Sequence, residues 1–173
     1  QLVKLTQNQK MIKQADLLIS TSVTVINVVI KGSVPEGVHW IYFPDPDLSF
    51  FRISLPKNYF ANSAPENEHI ISVEVSSRIK ITDTSLLEDK VIKQLQSLEI
   101  FTIEEIVFCH SYTIPDAYCI FDGKRHEIVE SLTSELEAFG IISTGRYGKW
   151  EYSAMQDALI YGSELSDKFN IKI

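Results

Sequence analysis

The stretch Gly145-Arg-Tyr-Gly-Lys-Trp-Glu-Tyr-Ser-Ala-Met-Gln-Asp-Ala158 gathers what an anion site uses. It lies between the short apolar pair Ile141-Ile142 and a run of helical periodicity with Ser153 as its expected N-cap. The unpaired N–H groups of a first helical turn, and the positive end of the helix dipole, then face the loop. Gly145 and Gly148 let a ligand approach the backbone closely. Arg146 brings a permanent charge and a two-pronged donor matched to phosphate, while Trp150 or Tyr152 offers a flat, polar-edged surface for a sugar or a ring. A packed surface turn with an exposed arginine is the alternative reading of the same spacing.

Other chemistry-bearing residues point less clearly to a site. His39, His69, His110 and His126 lack the paired spacing of a metal motif and read as structural or surface residues, so no metal is expected. Cys109 and His110 are neighbours on one expected strand and point to opposite faces, which disfavours a Cys-His nucleophile, and no G-x-S-x-G motif occurs. Asp45 and Asp47 flank Pro46 in a turn and read as solvated, with a calcium-like cluster as the alternative. Glu104 and Glu105 read as a solvated strand start. Trp40, Tyr42, Phe50 and Phe51 suit either an aromatic wall above a sheet or, more often, core packing.

The elements that must position these residues follow from periodicity. Leu2, Leu5, Met11, Ile12, Ala15 and Leu18 predict a helix or two short ones. Ser22 to Ile30, rich in Val, Ile and Thr, predicts a strand ending at Lys31-Gly32, with Val38 to Phe43 returning antiparallel, then Phe50 to Leu55, a polar loop over 56–67, and a fourth strand at His69 to Val75. Ser85 and Glu88 have capping-box spacing ahead of a helix to about Leu98. Glu105 to Tyr112 is apolar on both alternating sets, which predicts a central strand closed by Pro115. A helix over about Arg125 to Phe139 stops at Gly140, Ile141-Ile142 form a short strand, and the last helix carries Met155, Ala158, Leu159, Gly162, Leu165 and Phe169 along one stripe. The expected class is α+β: one domain over 1–173, with a mostly antiparallel mixed sheet backed by helices.

Composition bounds the function. The 173 residues, 45% of them hydrophobic, can bury ~70% of the unfolded surface. Acids outnumber Lys and Arg by 23 to 16, and no basic cluster exists to neutralise phosphates, so nucleic acid is not an expected partner. No apolar run reaches the ~18–20 residues of a membrane helix. Two cysteines, Cys109 and Cys119, make no disulfide framework and suggest a reducing, cytoplasmic setting. Residue 1 is Gln, and the first residues lack the order of a secretory leader, so the start reads as a processed or truncated boundary.

The residues Gly145, Arg146, Gly148, Tyr152 and Met155, with Trp150 in an aromatic position, resemble the G-R-L-G-x-Y-x-Y-x-D-M-D run of UDP-galactopyranose mutases and their protoporphyrinogen oxidase and amine oxidase relatives. Ala154 and Gln156 stand where the mutases carry acids. Thr113-Ile-Pro-Asp-Ala-Tyr-Cys-Ile-Phe-Asp122 is similar to an I-P-x-A-Y-P-x-Y-D stretch of bacterial FAD-dependent oxidoreductases, some described as lipopolysaccharide-biosynthesis proteins. Read in the same way, Ser20 to Ile30 resembles the strand that opens their substrate-binding sheet.

The resemblance implies FAD as cofactor, with Gly145, Arg146, Met155 and Gln156 beside it and backbone N–H groups serving its ribityl or pyrophosphate oxygens. It also implies that Tyr118, Tyr152 and Trp150 line a cavity for a small-molecule or nucleotide-linked substrate. The family's N-terminal dinucleotide-binding fold uses G-x-G-x-x-G, and the seven glycines here, at 32, 37, 123, 140, 145, 148 and 162, never give that spacing. The chain therefore reads as the substrate-domain portion of a larger flavoprotein, with 143–169 as its FAD-contacting segment. The missing N-terminal domain would be its partner, and the isolated piece would bind FAD weakly and have no turnover. The rival reading is a stand-alone, non-catalytic module whose Arg146/Trp150 loop captures an anionic ligand or a protein.

Overall fold

The computed structural model describes residues 2–79, 81 and 83–169. In chain order the elements are α1 (Leu2–Leu5), α2 (Gln9–Ala15), β1 (Ser20–Ser33), β2 (Trp40–Tyr42), β3 (Arg52–Ser54), β4 (His69–Ser77), α3 (Ser85–Ser97), β5 (Thr102–Cys119), α4 (Arg125–Ala138), α5 (Gly145–Gly148) and α6 (Met155–Lys168). Two short 3₁₀ turns, Pro56–Asn58 and Ala61–Ser63, punctuate the expected polar loop. The class is α+β, as the sequence predicts. The chain forms two compact units, Thr21–Ala117 and the pair of segments Gln1–Ser20 and Tyr118–Ile173.

The first of these units is built on a five-stranded sheet in the order β2-β3-β4-β1-β5. β2 pairs antiparallel with β3, β3 with β4, and β4 with β1 in a register that includes Val25↔Glu74 and Val29↔Ile70. Contacts of Thr24 with Thr113 and of Lys31 with Glu105 run β5 antiparallel to β1. The strand at 38–43 thus does not return against β1 as expected. β1 buries both alternating sets, with Ile26, Val28 and Ile30 on one and Val23 and Val25 on the other. The nine-residue β4 pairs along most of the 14-residue β1, where the three-residue β2 could pair with only a short piece of it.

β5 corrects a second expectation. It lies at the edge of the sheet, and it runs through Pro115 to Cys119. An edge strand leaves one row of N–H groups outside the ladder, so proline is tolerated there. Its apolar residues on both faces do not signal burial, since Val107 is 41% and Phe108 59% exposed. The core of this unit instead joins Ile26, Val28, Ile30, Ile53, Leu55, Ile71, Val73 and Val75 to Val91 and Leu95 of α3. The aromatic quartet divides: Phe50 is buried edge-on to Phe43, whereas Trp40 and Tyr42 are exposed. α3 starts at Ser85, with the Asp83 carboxylate accepting from the Ser85 N–H and hydroxyl at 3.0 and 2.7 Å, so Ser85 is the first helical residue rather than the cap.

The other unit packs α2 on α4. Met11 is fully buried among Ile128, Leu132 and Leu136, and Asn8 caps α2 by accepting from the Lys10 and Met11 N–H groups. α4 ends as Gly140 foretells. Gly140 turns to φ +72°, its N–H donates to the Glu137 carbonyl, and the Ile141 N–H donates to that of Leu136. This is a Schellman motif closed by an apolar residue. Those bonds and the packing of Ile141 hold the segment outside any strand, so the expected strand at 141–142 is absent.

α6 departs from expectation in two ways. Its N-cap position is Ala154, one residue beyond Ser153, and the Asp157 carboxylate accepts from the Ala154 N–H at 2.7 Å. Its apolar stripe is not core: Met155 is 88% and Leu159 77% exposed, and no described residue of the helix is buried. Periodicity shows that a helix has an apolar face without showing what covers it. Among the described residues no helix is long and apolar enough to cross a membrane.

Candidate functional site

The 143–155 loop and the end of β5 belong to the same unit. β5 delivers Tyr118 and the buried Cys119, after which the Ile120 N–H donates to the Ile19 carbonyl at 2.8 Å. A tight turn follows, where the Asp122 carboxylate accepts from the N–H groups of Lys124 and Arg125 and starts α4. Beyond Gly140 the chain reaches Thr144 in extended form and enters α5 through Gly145 at φ +76°. Gly148 closes α5 against Ser143: a Cβ there would lie 2.9 Å from the Ser143 hydroxyl, which itself donates to the Gly148 carbonyl. The Lys149 N–H donates to the Gly145 carbonyl and the Glu151 N–H to that of Arg146. Trp150 between them holds φ +50°, a left-handed conformation costing a bulky residue ~1–2 kcal/mol.

Arg146 is framed by aromatic rings. Its guanidinium carbon is 5.2 Å from the Tyr118 ring centroid and 5.9 Å from that of Tyr152, and Nη1 donates to the Ser153 carbonyl at 3.2 Å. Cation–ring contacts of this kind contribute ~0.5–2 kcal/mol each, more where water is excluded. Tyr152 also meets Phe121, with centroids 5.1 Å apart, and Phe121 carries Arg125 over its face at 4.4 Å. Arg125 in turn donates through Nε to the Trp150 carbonyl at 2.8 Å and through Nη2 to the Lys149 carbonyl at 2.7 Å. Charge-assisted bonds contribute ~1.5–3 kcal/mol, enough to offset the backbone strain at Trp150. The Trp150 indole nitrogen is buried and has no hydrogen-bond acceptor among the described residues.

Electrostatics around this cluster favour inert thiol and phenol groups. Burial pushes the Cys119 thiol up, partly countered by Arg146 and Arg125, so it stays protonated near neutrality. The Tyr161 hydroxyl donates to Glu151 at 2.5 Å, and that bond, with desolvation and nearby carboxylates, pushes Tyr161 up to about 12. Lys149 lies 3.6 Å over the Tyr161 ring. No group of three or more His, Cys, Asp or Glu side chains among the described residues is arranged to hold a metal ion.

The fold thus brings Arg146 together with Tyr118 and Tyr152, residues that the sequence suggested from separate segments. Gly145 opens the same turn, Trp150 lies in the same loop, and Met155 and Gln156 stand exposed on the first turn of α6. Sequence reasoning missed Arg125 and Phe121. The Asp122-x-x-Arg125 spacing marks a helix start, but nothing local announces that the Arg125 side chain spans to carbonyls 24 and 25 residues away.

One unit is an antiparallel sheet backed by a helix, and the other presents an arginine–aromatic loop. No model of a known protein family matches the sequence. Among solved structures the chain is similar to a reduced UDP-galactopyranose mutase, with a TM-score of 0.70 and 28% identity over 81% of this chain. It is also similar in fold to a candidate protoporphyrinogen oxidase from Exiguobacterium sp. 255-15, with a TM-score of 0.73 and 13% identity over 97% of this chain. It spans 31% of the first protein and 38% of the second.

Proposed function

We propose that this chain is the substrate-domain portion of an FAD-dependent oxidoreductase or mutase-like enzyme, contributing cavity surface and flavin contacts to a cofactor held mainly by polypeptide of another domain. The observation carrying the reading is the Arg146 loop: its sequence resembles the mutase flavin-contacting run, and its guanidinium is framed by Tyr118 and Tyr152 in a fold shared with a mutase. The short span relative to both solved proteins supports a contribution to a larger enzyme. The substrate is a small or nucleotide-linked molecule acting against this surface, and a role in polysaccharide or lipopolysaccharide assembly follows if the mutase likeness extends to substrate.

The residues fit one part of the cofactor better than another. Exposed Met155 and Tyr152 offer apolar and flat surface to a planar ring, and Gln156 offers a neutral amide to ribityl or ring oxygens. Asp157 places a carboxylate on the N–H of Ala154, which disfavours a pyrophosphate at the tip of α6. The flavin, when bound, supplies the redox chemistry, and this chain supplies orientation and charge. Arg146 acts electrostatically, because a guanidinium keeps its charge and does not shuttle protons. Titrating FAD into the full-length gene product tests the reading: a yellow, stoichiometric complex supports it. Full-length protein that stays colourless refutes it and favours the stand-alone module.

A further inference from the structure

We infer that Arg125 is the positioning residue for the Arg146 loop, an inference that rests on the flavin-contacting reading of that loop. Two routes lead from one side chain to the other within the same unit. Along the backbone, the Arg125 fork grips the carbonyls of Lys149 and Trp150, the two residues that follow α5 directly. The next residue, Glu151, then returns its N–H to the Arg146 carbonyl at 3.0 Å. Through the rings, Arg125 covers Phe121, Phe121 meets Tyr152, and Tyr152 flanks Arg146.

The grip has a specific geometric purpose. Trp150 is one of two non-glycine residues with positive φ among those described, and a left-handed residue redirects its carbonyl away from the path of an ordinary turn. That carbonyl meets the Arg125 Nε. Arg125 is itself fixed from behind, since its own N–H donates to the Asp122 carboxylate at 2.8 Å at the start of α4. α4 is anchored in the apolar cluster of Ile128, Leu132 and Leu136. Arg125 therefore transfers the rigidity of a packed helix to a loop that has little core of its own. Lysine cannot substitute, because a single ammonium on a flexible stem does not reproduce two parallel N–H vectors.

The test separates positioning from folding and from cofactor binding. Hydrogen exchange on the 173-residue chain compares wild type with Arg125→Lys and Arg125→Gln. Exchange of the Glu151 amide rises about tenfold or more in Arg125→Lys while α4 amides such as Ile128 stay protected. Arg125→Gln, which is shorter and has neither the charge nor the fork, gives a rise at least as large. Unchanged Glu151 exchange overturns the inference, and so does equal loss of protection throughout α4, since that marks a merely structural arginine. In the full-length gene product Arg125→Lys weakens FAD binding as Arg146→Lys does. If wild type binds FAD and Arg125→Lys binds it equally well, the positioning role toward the ligand is wrong. If wild-type full-length protein binds none, the flavin reading falls while the exchange result still decides what Arg125 holds.

Discussion

Replacing Gly32 with alanine is the sharpest test of the sheet that the sequence did not foresee. Gly32 lies near the end of β1 at φ +135°, and a Cβ built on it would be 1.9 Å from the Thr102 carbonyl oxygen, where ordinary contact starts at 3.4 Å. Backbone strain in that region costs an alanine ~1–3 kcal/mol. Relieving the overlap means parting β1 from the first residues of β5, at ~1 kcal/mol for each ladder hydrogen bond released. Together these give a loss of about 3–5 kcal/mol, a large share of the ~5–15 kcal/mol available to a folded protein. Gly162→Ala is the internal control. Gly162 is inside α6 with nothing within 4 Å of its built Cβ, so alanine there adds ~0.5–1 kcal/mol through lower chain entropy. Urea unfolding followed by circular dichroism measures both. A Gly32→Ala unfolding free energy within ~1 kcal/mol of wild type refutes the close approach of β1 and β5.

Arg146→Lys keeps the charge but loses the fork, so in full-length protein FAD affinity and activity fall by roughly tenfold; unchanged kinetics remove Arg146 from the site. Tyr161 ionises only toward about 12, and Glu151→Gln brings its phenolate absorbance transition down toward the ordinary value of 10.0. Because its folded pKa is raised, its contribution to stability is complete below the ordinary value and fades as pH climbs toward about 12. His69 has the opposite sense: burial, then the charge of Lys57, hold its pKa below 6.5. The unfolded chain takes that proton first, so stability declines as pH falls from 6.5 through the lower folded value. Urea midpoints at the two ends of that window fall less in His69→Gln than in wild type, and equal slopes would show that His69 is not the titrating group.

By itself the sequence determined what short-range physics controls. The periods of 85–97 and 125–138 gave helices because their apolar residues recur each turn, and Gly140 gave a stop because it tolerates the left-handed conformation that ends α4. The loop at 145–152 stood out in the sequence by its glycines, arginine and aromatic residues, with a packed surface turn as the alternative reading, and only the fold frames the Arg146 guanidinium with Tyr118 and Tyr152. Strand order was not legible. Pairing β1 with β4 rather than β2 joins residues far apart in the chain, from Ile30↔His69 to Ser22↔Ser77, and proline in β5 is tolerated because that strand became an edge. Nor could periodicity tell that the stripe of α6 stays exposed while Phe50 and Trp40 part company. The Arg125 grip belongs to the same class: a carbonyl is present at every residue, and only the folded backbone decides which of them an arginine meets.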